Sequence, residues 1–183
     1  MLIASRKKKE NIAEYLLYMW QIEDLIRANG LKMEAIETTL IDRFDCSADD
    51  KKRMYEWYES LIEMMRQENK QKEGHIQLVE NVMIDLTDLH LRLLQAAREP
   101  MYTSAYYKTL PYLAELRSKA PQQEKTDLEL CFSALYGVLL LKLQHKEVSE
   151  ATMVAVKNIS SFLALLAQYY KKDANGELKW EDD

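Results

Sequence analysis

Glycine, proline and cysteine are scarce in this chain, with 4, 3 and 2 among 183 residues. So few punctuating residues cannot make the many tight turns that hairpins need, which excludes a fold of short strands. Two cysteines, Cys46 and Cys131, are far too few for a disulfide framework, and both read as reduced thiols. Also missing are a Gly-rich phosphate loop, a nucleophile elbow, and a Cys with a nearby His on a turn. Cationic charge is in deficit: Lys and Arg total 25 against 30 Asp and Glu, a net charge of −5. A nucleic-acid partner is not expected, because displacing counterions from phosphate takes a cationic excess. A membrane partner is not expected either, since the short apolar start is followed by Arg6-Lys7-Lys8-Lys9, the reverse order of a secretion signal. The expected location is the cytoplasm.

What the chain does contain favours helix. Leu, Met, Glu, Lys, Gln and Ala dominate, and 48% of residues are hydrophobic, enough for one core at this length. The expected fold class is all-α: a single-domain bundle of six or seven helices over residues 1–172, followed by a polar, acidic and mobile tail at 173–183. The organising stretch is 128–143, Leu-Glu-Leu-Cys-Phe-Ser-Ala-Leu-Tyr-Gly-Val-Leu-Leu-Leu-Lys-Leu, in a helix expected at about 126–146. At about 100° per residue its apolar side chains cover most of the circumference, so it should be buried at the centre. It is too short for a membrane span of roughly 20 residues, so other helices of this chain or of a partner must wrap it. Ser133, Gly137 and Gln144 form a narrow small and polar strip on it, where a neighbouring backbone could approach.

Other helices are expected at 6–28, 33–43, 47–71, 75–97 and 149–172. Between 101 and 120, Pro111 either kinks one helix or starts a second. Ile12, Tyr15, Met19, Ile22 and Ile26 repeat at steps of three and four, a core stripe. Glu23 falls inside that stripe, where a carboxylate is costly unless paired; an i,i+4 pair with Arg27 at the stripe's margin is the simpler reading. His90 replaces an aliphatic residue in the stripe of the 75–97 helix. A lone His there is expected to be a hydrogen-bonded core residue, since no second His or Cys lies at metal spacing. Tyr102, Tyr106, Tyr107 and Tyr112 gather between 101 and 120, and line a groove or fill space between helices. Trp180 in the acidic tail needs a docking place.

Glu56, Glu59 and Glu63, then Asp85 and Asp88, loosely resemble the paired acidic motifs of all-α nucleotide pyrophosphohydrolases, where carboxylates hold a metal and the metal holds phosphates. The match is poor: Asp85 stands where that family has Glu, and all five carboxylates lie away from the apolar stripes. None of His75, His90 and His145 has a Glu three residues before it, as a di-iron bundle would require.

The opening Asn11-Ile12-Ala13-Glu14-Tyr15-Leu16-Leu17-Tyr18-Met19-Trp20-Gln21-Ile22-Glu23-Asp24-Leu25-Ile26-Arg27-Ala28 resembles the start of an uncharacterised bacterial family of about this length, a domain of unknown function. The resemblance implies a bacterial helical protein and supplies no activity, cofactor or catalytic residue. The residues themselves favour a non-enzymatic protein acting through a protein partner or self-association, without cofactor, because nothing polar converges as chemistry requires. Metal-dependent nucleotide hydrolysis is one alternative. Binding of a small ligand in an interior pocket near Glu23, His90 or the tyrosines is another.

Overall fold

The computed structural model describes residues 2–96, 99–119, 125–178 and 180. Among these there are eight α-helices, one short 3-10 helix and no strand, so the fold is all-α. In chain order they are α1 (Leu2–Glu10), α2 (Ile12–Ala28), α3 (Met33–Thr39), the 3-10 turn (Ile41–Arg43), α4 (Ala48–Gln67), α5 (Gln77–Gln95), α6 (Pro100–Lys119), α7 (Asp127–Leu143) and α8 (Glu150–Ala174). Residue contacts group them into two compact units, residues 1–10 with 14–82 and residues 11–13 with 83–183.

The single helix expected at 6–28 is two, α1 and α2. Asn11 interrupts it, its side-chain oxygen accepting the Ala13 amide at 3.0 Å and so taking one of the free donors at the start of α2. At the other end Gly30 and Leu31 adopt positive φ, 63° and 57°, and turn the chain after Ala28. The predicted α2 stripe is buried along its length, from Ile12 to Ile26. Ser47 caps α4: its hydroxyl oxygen accepts the Asp50 amide at 3.1 Å, and its hydroxyl donates to the Asp50 carboxylate at 2.8 Å.

In the second unit α6, α7 and α8 pack pairwise. Pro111 lies inside α6, which runs on past it as one helix. Thr126 and Glu129 form a reciprocal capping box at the start of α7, and Ser149 caps α8. α8 is the one helix among the described residues long and apolar enough to cross a membrane, and only 28% of its most apolar window is buried.

The expected central helix is the main correction. The first turns of α7 are buried, with Leu128, Cys131 and Phe132 at most 1% exposed. From Ser133 onward every residue except Val138 is half-buried or exposed, and Leu143 is 63% exposed. The cover from α6 and α8 is incomplete there. An apolar circumference states what a helix can bury, and the paths of its neighbours decide how much it does.

Candidate functional site

His90, the polar residue in the α5 stripe, is 4% exposed, and its Nδ1 shares a 2.6 Å hydrogen bond with the Tyr102 hydroxyl. The Tyr106 and Phe162 rings stand edge-on to the imidazole, at 4.8 and 5.7 Å between centroids. Tyr106 donates to the carboxylate of Asp127 in the first turn of α7, which also accepts from Arg117. Tyr169 packs on Tyr102 at 5.5 Å and donates to Glu99. Desolvation holds His90 below the ordinary value of 6.5, against the opposing pull of Asp127. It raises Tyr102, and raises Tyr106 with help from its bond to Asp127. Cys131 is buried here, and desolvation pushes its thiol up to about 12. All of these shifts favour the neutral form, so His90, Tyr102, Tyr106 and Cys131 sit here as uncharged groups rather than as activated nucleophiles. It is an aromatic core whose polar tips are satisfied internally.

Glu23 is 1% exposed, more deeply buried than its spacing implied, and Arg27 does not pair with it. Arg27 binds Asp24 at 2.9 Å and the carbonyls of Lys70 and Gly74. Glu23 instead accepts from His75 Nδ1 at 2.5 Å and from the Ile76 amide at 2.9 Å, just before α5. The His75 ring stacks on Trp20 at 4.5 Å. The carboxylate thus anchors the start of α5 from α2. The pairing with His75, 52 residues away, leaves no mark in local spacing.

The remaining predicted residues scatter. Tyr107 is 60% exposed beside Tyr106. Tyr112 faces α8, where Asn158 donates to its hydroxyl at 3.3 Å. Trp180 donates from Nε1 to Asp173 at 2.9 Å and lies under the Arg92 guanidinium, 4.4 Å from the ring centroid. Arg92 pairs with Asp173 at 2.8 Å. Glu56, Glu59, Glu63, Asp85 and Asp88 are all exposed, and no cluster of three or more potential metal ligands occurs among the described residues.

Where α6, α7 and α8 diverge they leave a groove of about 860 Å³. The strip Ser133, Gly137 and Gln144 forms one wall, and Val154, Ala155 and Ile159 of α8 form another. A Cβ added at Gly137 would meet nothing within 4 Å, so the strip faces open space. The strip is legible in the sequence, and the α8 wall opposite it is not. The groove is mainly apolar, with Glu115, Lys119, Ser149 and Thr152 also in its lining, a surface suited to non-covalent contact.

The sequence model of a family described as Domain of unknown function (DUF4924) matches residues 1–177. No curated protein and no solved structure matches the chain.

Proposed function

This chain belongs to the DUF4924 family, whose description names no activity, and we propose that it is a non-enzymatic protein that works by holding an apolar helix of a protein partner in the α6–α7–α8 groove. The observation that carries this reading is the unfilled groove itself. Its α7 wall spans Ser133 to Gln144, about 17 Å at the usual rise of 1.5 Å per residue, the length of three helical turns. An amphipathic helix would enter with apolar side chains at i, i+3, i+4 and i+7, over the small strip where backbones can come close. Val154, 48% exposed, keeps apolar surface open in the α8 wall.

Native mass measurement of the protein purified gently from its host tests the reading. A complex is expected, with a second copy or with a different chain, and Gly137→Leu should dissolve it by filling the groove. A chain that runs alone at near-cellular concentration, or a complex that survives Gly137→Leu, would overturn the reading. So would binding of the chain to lipid vesicles through α8.

A further inference from the structure

We propose that a second cavity, wholly within the unit that contains α4, binds a small uncharged planar aromatic molecule of one or two rings that carries a hydrogen-bond acceptor. The cavity holds about 220 Å³ and is walled by Tyr18 of α2, by Phe44 after the 3-10 turn, and by Met54, Trp57 and Tyr58 of α4. The sequence keeps it open. Residues 44–47 form no regular element between the 3-10 turn and α4, so Phe44 and Cys46 edge the space without filling it.

Size and wall chemistry set the class of guest. A cavity of about 150 Å³ accommodates benzene, so this one has room for a second fused ring. Four aromatic side chains offer faces and edges for a flat guest to stack on or abut, and the flexible Met54 thioether adapts to its outline. The charged residues of the lining, Asp50 and Arg53, lie 4.0 Å from each other, and Asp50 also takes the Ser47 hydroxyl. The lining therefore carries no net charge, and a charged guest would be desolvated without a counter-ion.

Two polar groups remain for recognition. Tyr58 is 4% exposed, and neither its hydroxyl nor that of Tyr18 forms a hydrogen bond with another described residue. Burial raises both, Tyr58 to about 12, so both stay protonated and able to donate. A ring nitrogen or carbonyl on the guest would accept from either hydroxyl inside the cavity, adding a hydrogen bond to the contact of the rings.

Quinoline is a suitable probe, having two rings, no charge at neutral pH and one acceptor. Calorimetric titration of the full chain is expected to show one site. Tyr58→Phe should weaken it roughly five-fold, the size of one net hydrogen bond. Met54→Trp, a change at a half-buried wall residue, should abolish binding while helix content is kept. Quinoline should also slow alkylation of the exposed Cys46. No binding to the folded chain would overturn the proposal. Binding that Met54→Trp leaves intact would place the guest elsewhere and overturn it too. Equal affinity in wild type and Tyr58→Phe would overturn recognition by that hydroxyl. None of these outcomes touches the α6–α7–α8 groove.

Discussion

The two halves of α7 are alike in composition and opposite in surroundings. In the first half Leu128, Cys131 and Phe132 are closed off beside Asp127, which Tyr106 and Arg117 hold. In the second half Leu139, Leu140 and Leu141 are half-buried, Leu143 is exposed, and Gly137 faces empty space. Hydrophobicity read along one helix cannot separate the halves, because burial belongs to pairs of elements. The difference is physical: the first half is closed inside the unit, and the second leaves apolar surface uncovered.

The largest expected effect breaks the first half. Phe132→Ala removes a fully buried ring among packed neighbours and should destabilise the protein by about 3–5 kcal/mol. Leu143→Ala, near the other end of the same helix, should stay within about 0.5 kcal/mol. Chemical denaturation of the two variants checks the contrast, and equal losses would mean that the second half is covered after all.

A second, smaller effect sharpens the comparison through pH. His90 is held neutral in the folded chain, chiefly by desolvation, with its value lowered from 6.5. The unfolded chain therefore binds the extra proton first as pH falls. The stability His90 contributes is whole above about pH 6.5 and is lost as pH drops from there toward its depressed folded value. Stability measured across this window should fall in wild type and fall less in His90→Phe, while Leu143→Ala should follow wild type throughout.

These contrasts mark what the sequence makes legible. Periodicity identifies the α2 stripe, the burial of His90 and the helical class, because each is a property of one element. The strip at Ser133, Gly137 and Gln144 is legible for the same reason. What crosses from one element to another is not. The His75 partner of Glu23 lies 52 residues away, where local spacing favours Arg27, and the Asp173 partner of Arg92 lies 81 away. The Asn11 break was missed because an Asx cap differs from an ordinary polar position only in backbone geometry. The interrupted jacket of α7 was missed because it depends on where α6 and α8 diverge.

Thiol chemistry reads the same boundary with no change in stability. Cys131 sits in the closed half of α7 with its thiol raised to about 12, while Cys46 is exposed in the other unit. Under native conditions an alkylating reagent should take Cys46 rapidly and leave Cys131 until the protein unfolds. Mass mapping of the labelled peptides checks this, and early labelling of Cys131 would show that the first half opens on its own.

The smallest effect runs in the opposite direction. Gly137 is helical, interior to α7, and has nothing within 4 Å of where a Cβ would stand. Gly137→Ala should therefore stabilise the isolated chain by about 0.5–1 kcal/mol, through the lower backbone entropy of alanine in its unfolded state. A glycine retained where alanine would stabilise the fold points to a demand outside the fold, and close approach of a partner backbone supplies one. If Gly137→Ala stabilises the monomer while weakening a complex, the second half of α7 is a surface kept bare for contact. If it destabilises the monomer, the space beside Gly137 is filled from within the chain, and the two halves of α7 are more alike than they look.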